Sequence, residues 1–291
     1  MRALALSAAA SALLLLGGCG SDEGDAVSAK TVLERASRTP AKSADVKLNL
    51  DLKLQGVEQL RQPVRISLAG PYRSNGKRAL PDLDWRIRAQ AAGRNVGFRI
   101  VTTRDNAFVA YGGTTYEVGE SLVRRFRKQS QAQSRQKEIR KLRIDASRWL
   151  TNGKVEDDGR RVSGDLDVRR ALADVNRVLA KAPQGRQLPQ RTIDQIDEAV
   201  KSATLEVRVG PDHVLRSSRF NVRFELPAEL RSKARGLRSG EMKFNYQQSN
   251  VNGDQKVKPP TGARPISELL RGFGVPPEAL LGPGAGLQAP G

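Results

Sequence analysis

Cys19 and His213 are the only cysteine and the only histidine in the chain. A histidine-based triad or a multi-histidine metal site therefore has almost nothing to draw on. His213 stands in Gly210-Pro211-Asp212-His213, a turn sequence between two apolar alternations, and supplies neither a triad nor a multi-histidine metal site. The carboxylates Asp82 with Asp84, and Glu156 with Asp157-Asp158, read as loop residues, where solvation accounts for them. Gly112-Gly113, and Gly93 with Gly97, do not open a helix after a strand at the spacing a phosphate loop needs. These residues point away from an enzyme, and they call for no cofactor and no metal.

That leaves the thiol. Arg2 gives a positive start, Ala3–Leu16 form an apolar run too short for a dependable membrane span, and Leu16-Gly17-Gly18 precede Cys19. The arrangement resembles the cleavage and lipidation box of bacterial lipoprotein precursors. The resemblance implies a diacylglyceryl thioether on Cys19, removal of residues 1–18, and a mature chain held on the outer face of the cell membrane by its first residue. Two acyl chains, at about 0.8 kcal/mol per buried CH₂, make a stable anchor where one makes a marginal one. An ordinary secretory signal with an incidental or buried cysteine is the alternative. Removing 18 of 291 residues leaves 273, enough for a sizeable core. With Cys19 taken by lipid, no disulfide can form within the chain, and the fold must hold by burial alone.

The formal net charge is +19 and the sequence pI about 10.7. In the cytosol such a balance would suggest nucleic acid, but an exported, tethered protein meets none. The excess is largely arginine spread along the chain, so a biased composition explains it as well as a function does. The functional reading is attraction to anionic lipid head groups, at about 1 kcal/mol per nearby basic residue.

The elements around these residues are legible from periodicity. Residues 20–29 are small, acidic and polar, as a tether should be. Thr31 to Thr39 predict a short helix ended by Pro40. Val46, Leu48, Leu50, Leu52 and Leu54 then alternate with Lys47, Asn49, Asp51 and Lys53, a period of two that marks a strand with one wet and one dry face. The pattern recurs in Val64–Leu68, Leu83–Ala89, Val96–Ile100 and Ala107–Tyr111, separated by Ser74-Asn75-Gly76, Ala92-Gly93, Asp105-Asn106 and Gly112-Gly113. Short turns between consecutive strands imply an antiparallel meander. A helical reading follows over Glu120–Leu142, polar between Arg127 and Glu138, with one more turn over Ala146–Leu150. After Asn152-Gly153 come a strand from Arg161 to Val168 and helices over Val168–Ala180 and Thr192–Ser202, the latter capped by Thr192. Alternation returns in Leu205–Val209, Phe220–Leu226 and Met242–Tyr246. Ile266, Leu269, Leu270 and Phe273 predict a docked helix within 259–281, and 282–291 reads as a disordered tail. The class is α+β: one domain over 44–258, a large curved antiparallel sheet, a half-barrel whose concave face is covered by helices.

Gly70-Pro71-Tyr72-Arg73-Ser74-Asn75-Gly76-Lys77-Arg78-Ala79-Leu80-Pro81 and Ala107-Phe108-Val109-Ala110-Tyr111-Gly112-Gly113-Thr114-Thr115-Tyr116-Glu117-Val118 are similar to segments of actinobacterial lipoproteins of the LppX/LprAFG group. The order of elements agrees over most of residues 44–260, whereas the polar 127–138 segment and the tail depart from it. The resemblance implies a fold like that of LolA/LolB carriers, with a hydrophobic cavity that binds acyl chains of a lipid or glycolipid. Drawing about 16 methylenes from a bilayer costs on the order of 13 kcal/mol, so a carrier must offer comparable apolar surface. The inward residues that would line it are Leu48, Leu50, Leu52, Ile66, Trp85, Ile87, Phe98, Ile100, Phe220, Val222 and Phe224, with Leu172, Val175 and Val178 on the roof. The alternative is that these residues simply pack together, in a surface-attached binding or scaffolding lipoprotein with a filled core.

Overall fold

In the computed structural model the described residues are 28–76, 79–132, 146–181, 187–232, 234 and 236–275. Cys19 with the expected leader, the 133–142 part of the second predicted helix and the 282–291 segment expected as a tail lie outside them.

Helix α1 (Ala29–Arg38) opens on Ser28, whose Oγ accepts from the Thr31 backbone N–H at 3.2 Å, and Arg35 and Arg38 sit in its last turn, facing the negative end of the dipole. Strand β1 (Ser43–Gln55) follows, then the meander β2 (Val64–Arg73), β3 (Asp82–Ala91), β4 (Arg94–Thr103), β5 (Asn106–Tyr111) and β6 (Thr114–Glu117). In the β3–β4 and β5–β6 hairpins both central residues have positive φ, Ala92 (48°) with Gly93 (74°), and Gly112 (58°) with Gly113 (82°), as a two-residue turn matched to the strand twist requires. Helix α2 (Glu120–Ala132) and a 3₁₀ turn (Ala146–Trp149) lead to β7 (Leu150–Glu156) and β8 (Arg161–Leu166). Helices α3 (Val168–Lys181) and α4 (Gln190–Ala199) precede β9 (Val200–Val209), β10 (Leu215–Glu225), the single turn α5 (Ala228–Arg231) and β11 (Ser239–Ser249). The two-residue β12 (Arg264–Pro265) and α6 (Ile266–Gly272) end the described chain.

All twelve strands form one open sheet in the order β12-β6-β5-β4-β3-β2-β1-β11-β10-β9-β8-β7. Every neighbour is antiparallel except β12, which runs parallel to β6. β1 is central: its eleven residues from Asp45 to Gln55 pair with β11, and Ser43–Leu52 pair with β2. The Asn252 backbone N–H donates to the Ser43 carbonyl at 2.8 Å and Ser43 Oγ donates to the Gly253 carbonyl at 2.6 Å, so the loop after β11 is stitched to the start of β1. β6 and β7 lie near opposite edges of the sheet.

Several local expectations are corrected. Asn152-Gly153 reads as a turn but lies inside β7, where Asn152 at φ 53° opens a bulge between Thr151 and Lys154. Val200 reads as helix but starts β9 opposite Phe224, a position that suits a β-branched side chain. Thr192 is not the cap of α4; Pro189 occupies that position without a side-chain bond. Asp82 and Asp84 belong to β3 rather than a loop. Asp82 is buried and accepts from Arg73 Nε at 3.1 Å, and Asp84 takes the Arg99 guanidinium on both oxygens at 2.6 Å.

The tightest packing lies at the C-terminal half of the sheet. Val32 and Leu33 of α1 pack with Val162, Leu205, Val207 and Val209 of β8 and β9, and Leu150 and Phe220 border this cluster. Elsewhere burial is sparse. α2 contacts β5, and the buried residues of that neighbourhood, Val101, Phe108 and Val123, include two that face away from Ile100 and Val109. Cover on that part of the sheet is thus not confined to the face the sequence expectation assigned to the helices.

Candidate functional site

Period-two alternation and the register put the apolar residues on one face in aligned rows. Leu52 stands beside Met242 and Val222. The next row carries Leu50 with Ile66 on one side and Phe244 and Phe220 on the other. Leu48 continues through Leu68 and Ile87 to Phe98 on one side and meets Tyr246 on the other. Trp85 pairs with Ile100. The opposite face carries the intervening Lys47, Asp51, Arg65, Arg88, Lys243 and Arg219.

A filled sheet core buries such rows completely; here they are only half-buried. Leu48, Leu50, Leu52, Trp85, Ile87, Phe98, Ile100, Phe220, Val222 and Phe224 all keep part of their surface, and Ile66 is 36% exposed. Two apolar hollows lie on this face. One, of about 590 Å³, is bounded below by Leu52, Val222, Phe224 and Met242, above by Ile196 and Ala199 of α4, and at its end by Leu226, Leu230 and Ala234. Arg191, Thr192 and Gln195 give it a polar rim. The second, of about 440 Å³, lies between the α1–β1 connection and the sheet, lined by Val46, Leu48, Leu68, Tyr72, Trp85 and Tyr246. Both fall within the range of ligand-holding clefts. Burial pushes the Tyr246 hydroxyl above the usual phenol range, against a 2.6 Å bond that it accepts from Gln248 Nε2.

The hollows gather five of the expected lining residues, namely Leu52, Val222 and Phe224 in the larger and Leu48 and Trp85 in the smaller. Leu50 and Ile66 lie on the row between and line a third hollow of about 630 Å³, whose other walls mix Ala89 and Val96 with polar residues such as Asp51, Arg65 and Arg88. Ile87, Phe98 and Ile100 share the face without lining either apolar hollow, and Phe220 borders the packed cluster. Leu172 of α3 is half-buried but lines neither hollow, and nothing is described of the Val175 and Val178 side chains. The covering helix of the larger hollow is α4, whose stripe of Ile193, Ile196 and Ala199 was visible in the sequence without any sign that it met Met242.

One solved structure can be set beside this geometry. LprF from Mycobacterium bovis is similar. The match has 13% identity and a TM-score of 0.36, and covers 80% of this chain and 97% of that one. No family model and no curated protein matches the chain.

His213 is exposed at φ 58° in the β9–β10 turn, its backbone N–H donating to the Gly210 carbonyl at 2.9 Å. Among the described residues there is no cluster of three or more metal-ligating side chains, and no helix is long and apolar enough to cross a membrane. On the polar face Glu206 receives Arg161 at 3.0 Å and Arg208 at 3.2 Å, with Arg219 at 3.7 Å. Burial pushes its carboxyl up, but these guanidinium bonds outweigh burial and hold it below the usual range. Asp174 behaves alike: burial is overcome by the Trp149 Nε1–H at 2.8 Å and by Arg177.

Proposed function

We propose that this chain is a membrane-anchored lipoprotein that takes the acyl chains of a lipid or glycolipid against the apolar face of its sheet, treated as the concave face of a half-barrel, and carries or presents that lipid on the outer side of the cell membrane. The observation that supports it is the half-burial of the Leu48, Leu50 and Leu52 rows together with the hollow between Met242 and Ile196. Apolar surface left uncovered costs about 25 cal/mol per Å², and a bound chain recovers that cost. Cys19 supplies the anchor in this reading, and the polar rim at Arg191 and Gln195 keeps a head group at the mouth while the chain lies inside.

Two experiments test the two parts. Protein expressed from Gly20 onward in a host rich in diacyl lipids is expected to release about one lipid per chain on organic extraction. Lipid-free protein that also fails to take up a fluorescent fatty acid overturns the carrier. Metabolic labelling with a tritiated fatty acid is expected in the full chain and absent from Cys19→Ala; equal labelling of both overturns the anchor.

A further inference from the structure

The four large apolar residues of the described chain that stand most exposed are Ile66 (36%), Val96 (46%), Tyr111 (37%) and Phe273 (59%). They are not scattered. Ile66 and Val96 flank Ala89 in one cross-strand row, and Tyr111 pairs with Phe98, the next residue on that face of β4. The Phe273 ring lies on Tyr111, centroids 5.4 Å apart. All four therefore cluster on the apolar face at the end of the sheet that carries the β3–β4 and β5–β6 turns. A grouped apolar patch of this kind marks an interaction surface.

Its charge is one-sided. The turns 91–95 and 111–115 contain Arg94 and no carboxylate. Arg94 and Arg271 are exposed, and neither has an ion pair among the described residues. Two acids near the patch are matched, Asp51 by Arg65 at 3.1 Å and Glu268 by Arg264 at 3.8 Å. The start of the chain points the same way. The row through Ile66 and Val96 continues across Leu50 and Phe244 to Gly164 on β8, and Gly164 packs on Gly153, which in turn packs on Ala29. The first residue of α1 thus lies at the level of the exposed patch.

We propose that this end of the sheet rests on the anionic lipid surface that holds the anchor, with Ile66, Val96, Tyr111 and Phe273 entering the interface and Arg94 and Arg271 meeting head groups. The larger hollow opens among the connections at this same end, beside Leu226 and Leu230, so docking sets its mouth against the membrane. The inference rests on the anchor reading of Cys19 and is independent of whether the hollows hold lipid.

The test uses the mature protein reconstituted in phosphatidylcholine vesicles with and without about 30% phosphatidylglycerol. Cys19 is the only native cysteine, so Phe273→Cys, Val96→Cys and, at the opposite end, Arg104→Cys each give one free thiol for an environment-sensitive fluorophore. Labelling of the unmutated protein reads failure of the anchor separately. Emission at positions 273 and 96 is expected to rise about threefold on anionic vesicles and to be quenched by doxyl lipids, while position 104 stays unchanged. The paired change R94E/R271E, at two exposed sites, is expected to abolish most of the rise at position 273, as is 1 M salt. Equal responses at both ends, or a response indifferent to anionic lipid, overturns the proposal. Protection of position 273 without vesicles, together with a dimer in sedimentation, assigns the surface to a second copy and overturns it too.

Discussion

Phe220 of β10 and Phe244 of β11 meet edge to face, ring centroids 6.0 Å apart at 71°. Their row lies between the row of Leu52, Met242 and Val222, which floors the larger hollow, and the row of Leu48 and Tyr246, which floors the smaller. The pair is a partition. Truncating it by Phe244→Ala removes a half-buried ring and an aromatic contact, so the expected loss is about 2 kcal/mol, below the 3–5 kcal/mol of a fully buried phenylalanine. The change also joins the two spaces. Urea unfolding is expected to show a lower midpoint at unchanged slope, while the mass of lipid extracted per chain holds or grows. A loss of bound lipid at retained stability would contradict the role of divider.

The partition illustrates what the sequence could and could not disclose. Alternation along Leu48–Leu54 states which residues share a face, because side chains on a strand alternate whatever lies above them. It does not state what lies above. Met242 reads as an ordinary strand residue, and Ile196 and Ala199 as an ordinary helix stripe; that they bound one hollow depends on α4 lying over β9–β11, a long-range fact with no local signal. The same limit explains β7. Asn152-Gly153 has the chemistry of a hairpin turn, and only pairing with β8 shows that it is a bulge in a continuing strand. Pro71 likewise argues against a strand interior, yet β2 runs through it, since the residues on either side keep one register with β3.

Gly70 is the residue that allows this. Its φ is 147°, and a β-carbon built there would stand 1.9 Å from the Asp84 carbonyl oxygen. Both the backbone conformation and the space exclude a side chain, and the obstacle is backbone, which cannot swing aside. Gly70→Ala is expected to cost at least 3 kcal/mol or to abolish soluble expression. Gly113→Ala has only the φ penalty, since nothing lies within 4 Å, and is expected to cost about 1 kcal/mol. Thermal melts of the pair separate the two causes, and equal losses would show that contact with Asp84 is not the reason.

Asp174 and Glu206 give the fold a defined response to acid. Both carboxyls lie below their ordinary range in the folded chain, where guanidinium and indole bonds outweigh burial. A group whose folded value is depressed stabilises above its unfolded value, roughly pH 4, and loses that contribution as pH falls through the folded value. Asp174→Asn is therefore expected to be less stable than the unmutated protein at pH 6, with the gap narrowing below about pH 4. Melts recorded from pH 6 to pH 2 check the sign; a gap that widens in acid would reverse it.

Glu206 carries a second consequence, because three arginines converge on one carboxylate. Neutralising it by Glu206→Gln leaves Arg161, Arg208 and Arg219 facing each other across β8, β9 and β10, in a chain already at +19. The expected loss is about 1–2 kcal/mol in low salt, part of it recovered near 1 M, where screening shortens to about 3 Å. Salt-independent destabilisation would assign the effect to hydrogen bonding rather than to charge.

The larger hollow can be closed from within while leaving its charges alone. Val222 projects from β10 into it, half-buried, with Met242 and Leu52 on one side of its row, Ala203 on the other, and Ala199 of α4 lining the same hollow. Replacing Val222 with Trp adds an indole to open apolar space rather than to a packed core, so the usual 1–3 kcal/mol cost of overpacking does not arise and the melting temperature is expected to hold or rise. Bound lipid is expected to fall at least fivefold, since the added ring occupies the place of the acyl chain that the proposed function puts there. If extraction returns the same lipid from Val222→Trp and from the unmutated protein, the chain lies elsewhere, and the hollow between Met242 and Ile196 is not the binding site.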